Sequence, residues 1–145
     1  MKKNLKLISL ILCFVLVAAM ALFTTGCATE KASVDTTASQ SIDGKTFGEG
    51  AKSFTFEVVD TEGNSQKATI KTDAQTVGDA LVENGLVEGE ESSFGLYVKT
   101  VNGITLDYDK DHKYWAFYVD GEYAMTGVDG TDITEGSVYK LAAEE

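Results

Sequence analysis

Alternating carboxylates give the first hint of chemistry in this sequence. Asp107-Tyr108-Asp109-Lys110-Asp111 places acids at every second position, the spacing of the first ligands of a calcium-binding loop. The match then breaks down. His112 stands where such a loop needs glycine for its sharp turn, and Tyr118 where it needs a bidentate glutamate. The stretch reads as a solvated acidic loop, with specific calcium binding as the alternative. His112 is the single histidine, and the two cysteines, Cys13 and Cys27, both lie near the N-terminus. A folded domain downstream of them lacks a ligand set for zinc or copper. Serines and acids abound, but no nucleophile elbow or oxyanion motif surrounds any serine, and there is no phosphate loop or dinucleotide fingerprint. Binding is therefore expected rather than catalysis.

Aromatic side chains offer more. Tyr114-Trp115-Ala116-Phe117-Tyr118-Val119 packs four aromatic rings into five consecutive residues and contains the only tryptophan. As a strand, it would put Tyr114, Ala116 and Tyr118 on one face and Trp115, Phe117 and Val119 on the other. No polar residue interrupts either face, so the expectation is a central strand covered, or used, on both sides. Phe117 and Val119 read as core. Tyr114, Trp115 and Tyr118 carry polar edges and are candidates for contact with a ligand. Asp120-Gly121 then calls for a type I′ hairpin turn, with Glu122 to Met125 returning antiparallel.

The elements that must position this strand follow from the chain in order. Met1 to Lys6 is basic, Leu7 to Phe23 is almost wholly apolar, and Thr24-Thr25-Gly26-Cys27 follows, which is the layout of a secretory signal over residues 1–26. Gly26-Cys27 resembles the lipobox of bacterial lipoproteins, a resemblance that implies lipidation of Cys27 and anchoring at the outer face of the cell membrane. The alternative is an uncleaved membrane anchor, since 17 residues lie at the short end of a spanning helix. Either reading places the domain outside the cytoplasm. Residues 27–50 are rich in Ser, Thr, Ala, Gly and charge, with Ile42 and Phe47 as the larger apolar residues, and read as a flexible tether. A random coil of its length reaches roughly 25–30 Å.

The folded domain is expected over residues 51–145. Phe54, Phe56 and Val58 alternate with Thr55, Glu57 and Val59 in a half-buried strand, and Ala68 and Ile70 mark its hairpin partner. Thr76 can cap a helix over residues 76–84, with Asp79 at capping-box spacing and Gly85 as a left-handed terminator. Val77, Ala80 and Leu81 would form its buried stripe. Glu88 to Ser93 reads as an acidic loop. Leu96 to Val101 and Ile104 to Leu106 flank Asn102-Gly103, a strong hairpin signal, and Ser137 to Leu141 reads as a last strand. One short helix and a run of strands make a two-layer α+β domain. The order strand, strand, helix, strands is that of the β-grasp, ubiquitin-like architecture, with the helix packed on a mostly antiparallel sheet.

The formal charge is −11, with 12 lysines, no arginine and 23 acids. Losing Lys2, Lys3 and Lys6 with a cleaved leader would take it to −14. That balance repels phosphate backbones and excludes nucleic acid as a partner. The lack of arginine argues against a nucleotide site.

The pattern Tyr114-Trp115-x-Phe117-Tyr118-Val119-Asp120-Gly121-Glu122, followed by Gly127 before an acidic turn, resembles the transcobalamin-like C-terminal domain family over roughly residues 53–141. This family occurs in bacterial surface proteins and, more distantly, in the vertebrate cobalamin carriers. The resemblance implies the β-grasp type of fold, a corrinoid such as cobalamin as ligand, and Tyr114, Trp115, Tyr118 and Gly127 near it. In the carriers the ligand is clasped between this domain and a helical one. A lone domain on a tether then implies a weak half-site unless a partner chain completes it. The other expectation is an interaction module that pairs with another surface protein through a sheet edge or the aromatic patch.

Overall fold

The computed structural model describes residues 39–145. The expected signal over residues 1–26, Cys27 and the tether up to residue 38 lie outside the described residues.

Strands β1 (Thr46–Phe47), β2 (Lys52–Val59) and β3 (Ser65–Thr72) come first. The period-two pattern of β2 and β3 holds: Phe54, Phe56, Val58, Ala68 and Ile70 are all buried. Asp60 shapes the turn between these strands, its carboxylate accepting from the backbone of Glu62 at 2.8 Å and of Asn64 at 2.9 Å. The Asn64 side-chain amide, the largest influence, holds that carboxyl below its ordinary range together with these backbone donors.

Helix α1 spans Val77–Glu83. Thr76 Oγ1 accepts from the Asp79 amide at 3.2 Å, the N-terminal cap that the sequence predicts. At the other end Gly85 adopts φ +66°, Leu86 N–H reaches Leu81 O at 2.9 Å and Gly85 N–H reaches Val82 O at 2.9 Å. This paired closure satisfies carbonyls that the helix end would otherwise leave open. Val77, Ala80 and Leu81 are fully buried. Burying the Val and Leu side chains contributes roughly 1.5–3 kcal/mol each, which holds so short a helix in place.

Next come β4 (Val87–Ser92), β5 (Gly95–Val101), β6 (Ile104–Thr105), the one-turn helix α2 (Tyr108–Asp111), β7 (Tyr114–Val119), β8 (Glu122–Tyr123), a 3₁₀ turn (Val128–Gly130) and β9 (Val138–Glu144). Positive φ at Asn102 and Gly103, and at Asp120 and Gly121, gives both hairpins the expected turn. The main sheet has the order β1-β3-β2-β9-β7-β8, and β4-β5-β6 form a second, three-stranded sheet. Most pairs are antiparallel, but β2 runs parallel to β9, and β1 parallel to β3. The class is α+β. One face of the main sheet, α1 and the inward residues Val87, Val101 and Leu106 share a single hydrophobic cluster. Among the described residues no helix is long and apolar enough to cross a membrane.

Three expectations need correction. Glu88 to Ser93 is not a loop: residues up to Ser92 form β4, which pairs with β5 through a bulge at Glu88/Gly89. Its side chains beyond Val87 are exposed, so no alternation marks it in the sequence. The tether ends before residue 50, because Ile42 is 2% exposed within the core and Thr46–Phe47 pairs with β3. Asp107 to Asp111 is a capped helical turn rather than an open loop. Asp107 accepts from the Asp109 amide at 3.1 Å and pairs with Lys110 at 2.8 Å, while Asp111 accepts from the Asp107 amide at 3.2 Å.

Candidate functional site

Strand β7 presents two different surfaces. On the inner face Trp115 is 7% exposed, and its indole N–H donates to Lys99 O at 3.1 Å, joining the main sheet to β5. Phe117 stacks on Tyr139 at 6.2 Å, and Tyr139 meets Phe54 edge-on at 5.1 Å. On the outer face Tyr114 stands edge-on to Tyr108, and Tyr118 stands edge-on to Tyr123. Tyr118 donates to Glu144, and Lys140 lies 4.1 Å over its ring. The hydrogen bond to Glu144, with desolvation second, pushes the Tyr118 phenol up to about 12. Partial burial is the main cause that raises the Tyr114 phenol.

The aromatic strand therefore does not bring its candidates together. Tyr114 and Tyr118 face outward, whereas Trp115 points into the core, where it fills space and satisfies a backbone carbonyl. Gly127 belongs elsewhere again, immediately before the 3₁₀ turn. Its φ is −68°, so it has no need for a left-handed conformation. A Cβ there would lie 3.0 Å from Asp129 Oδ1, so the group that approaches Gly127 closely is the chain's own carboxylate.

Asp129 is the hinge pin of a different site. A Cβ on Gly95 would meet its Oδ2 at 2.4 Å, and one on Gly78 would meet its Cα at 2.8 Å. Three glycines, from α1, β5 and the loop before the 3₁₀ turn, thus form a socket around one residue. The Gly95 position also has φ +99°, which favours glycine independently. Beside the socket lies a groove of about 660 Å³ lined by Gly78, Asp79, Val82, Glu83, Glu91, Ser92, Gly95, Leu96 and Asp129. Its volume falls within the range of small-molecule sites.

Two large exposed apolar side chains stand on the loops that carry Gly95 and Gly127, outside the groove lining itself. Phe94, next to Gly95, is 97% exposed, and Met125, two residues before Gly127, is 95% exposed. Both loops are braced at the backbone. Phe94 N–H donates to Ser92 Oγ at 3.2 Å, and Thr131 Oγ1 donates to Gly127 O at 2.9 Å. Phe94 and Met125 are the two most exposed large apolar side chains among the described residues, which makes them candidates for contact with a ligand. Sequence reasoning missed Phe94, Met125 and Asp129. Periodicity does not report on loop residues, and the glycines Gly78, Gly95 and Gly127 were the available signal. Among the described residues no three acids or histidines converge in a way that would hold a metal ion.

Residues 74–138 match the model of DUF4430, a domain family of unknown function. No curated protein matches the chain. A crystal structure of a protein from Ruminococcus gnavus ATCC 29149, described as a candidate metal-binding protein, is similar over 66% of this chain and 98% of its own, with 29% identity and a TM-score of 0.62. Haptocorrin in complex with Cbi aligns over 65% of this chain at 19% identity and a TM-score of 0.49, and this chain spans 25% of haptocorrin.

Proposed function

We propose that the domain is a membrane-anchored extracellular binding module of β-grasp type that holds a flat, amphipathic ligand of the corrinoid class in the groove beside Asp129. The observation that carries this reading is the exposure of Phe94 and Met125 on two loops locked to one socket. Exposed apolar side chains on braced loops offer contact area that a ligand would bury. The choice of a corrinoid rests on the resemblance of the Tyr114–Glu122 segment to the transcobalamin-like family. Parallel pairing of β2 with β9 at the centre of the main sheet supports the β-grasp reading. The role is binding rather than catalysis.

The resemblance of Gly26-Cys27 to a lipobox supports anchoring through Cys27. Asn102, at the β5–β6 turn, donates to Ser39 Oγ and Gln40 O, while the groove lies at the Gly95 end of β5. From Gly95 to Asn102 is roughly 23 Å of strand. Absorbance titration of the protein with a corrinoid panel, then with haem, tests the reading. A saturable spectral change with a corrinoid supports it. A change with haem alone, or with neither, leaves an interaction module for another surface protein.

A further inference from the structure

A second cleft, of about 410 Å³, lies between the C-terminal end of α1 and the β5–β6 turn. Five segments wall it: the Gln40–Ile42 stretch, β1 with Lys45, the C-terminal end of α1, the start of β4, and the β5–β6 hairpin. Ile42, Phe47 and Leu86 give it an apolar floor, and Lys45 and Glu88 both line it. These two opposite charges share one cleft, yet neither is in an ion pair among the described residues.

The walls are fixed before any ligand arrives. Asn102 N–H donates to Leu86 O at 2.8 Å, and Asn102 Nδ2 donates to Gln40 O at 2.7 Å. Gly44 N–H holds Lys67 O at 2.8 Å, and Ile42 N–H holds Gln66 Oε1 at 2.9 Å. These amides are already engaged, and Lys45 and Glu88 are the two charged side chains of the lining among the described residues. The Glu88 carboxylate favours a cation, while the Lys45 ammonium favours an anion.

We infer that this cleft binds a small zwitterion, an amino acid or short peptide with an apolar side chain, its carboxylate on Lys45 and its ammonium on Glu88. The site is independent of the corrinoid groove. Calorimetric titration of the full chain with the dipeptide Ala-Leu tests it, with N-acetyl-Ala-Leu and Ala-Leu-amide as probes that each lack one charge. Expected is saturable binding of Ala-Leu, at least tenfold weaker for either capped form. Lys45→Met should abolish the penalty for amidation, and Glu88→Gln the penalty for acetylation. Both side chains are exposed, so the fold should survive, and the capped probes on the unaltered protein decide the matter even if it does not. Absence of saturable heat at millimolar Ala-Leu, equal binding of the capped forms, or unchanged discrimination in the variants would overturn the inference.

Discussion

Gly95 and Asp129 interlock: the carboxylate of Asp129 occupies the space that any side chain at Gly95 would need, with Oδ2 2.4 Å from a Cβ placed there. Gly78 does the same on the helix side, at 2.8 Å from the Asp129 backbone. Gly78 and Gly95, which both line the groove, thus leave the room that Asp129 fills.

Gly78→Ala sets two effects against each other. Alanine should stabilise the helix by about 1 kcal/mol through propensity. Overpacking against the Asp129 backbone costs about 1–3 kcal/mol. The clash is with main chain, which cannot swing aside, so the expected outcome is a net loss of stability in urea denaturation. Gly95→Ala should lose more, because φ +99° adds backbone strain. Unchanged midpoints in both variants would show that the socket is loose.

Trp115→Ala and Phe117→Ala should each cost about 3–5 kcal/mol, since both remove a buried ring. Trp115→Phe keeps most of the volume but leaves Lys99 O without its indole donor, and should cost less than Trp115→Ala. Denaturant midpoints check the order. If Trp115→Ala proves nearly neutral, the indole does not join the main sheet to β5 as described.

Much of this architecture was legible in the sequence, for identifiable reasons. Phe54, Phe56 and Val58 alternate because β2 has one wet face, and Thr76, Asp79 and Gly85 mark the helix ends through capping chemistry. The Asn102-Gly103 and Asp120-Gly121 turns need positive φ and announce it. Strand β4 was invisible because Glu88, Glu90 and Glu91 carry no apolar pattern, and its pairing is backbone work. The burial of Ile42 was hidden for a related reason: one apolar residue in a polar stretch gives no period. In the candidate site, alternation correctly separated Tyr114 from Trp115. What no local pattern could show was that Gly78, Gly95 and Gly127 meet on one aspartate.

Tyr118 should leave a signature at high pH. Its phenol is raised from 10.0 to about 12, chiefly by the hydrogen bond to Glu144. A group whose folded pKa lies above its unfolded value stabilises the fold fully below the unfolded pKa and loses that contribution as pH rises through the folded one. The window is therefore about pH 10 to 12. Absorbance titration of the tyrosinates should show a last phenol that Tyr118→Phe removes, with the raised Tyr114 phenol left in place. The unfolding midpoint should fall more steeply across that window in the parent than in the variant. A titration whose last phenol is unchanged in Tyr118→Phe contradicts the assignment.

Cys27→Ala tests the anchor. The variant should leave the membrane fraction for the medium, or accumulate as an unprocessed precursor. Processing and membrane association identical to the parent would remove lipidation from the account.

The most direct test of the binding reading compares the parent with a Phe94→Ala, Met125→Ala double variant in corrinoid absorbance titrations. Both side chains are almost fully exposed, so the unfolding midpoint should hardly move. The parent should show a saturable spectral change, and the double variant should bind at least tenfold more weakly, a difference of about 1.4 kcal/mol. Equal affinity in the two proteins, or an unchanged spectrum of every corrinoid at millimolar concentration, would contradict the account.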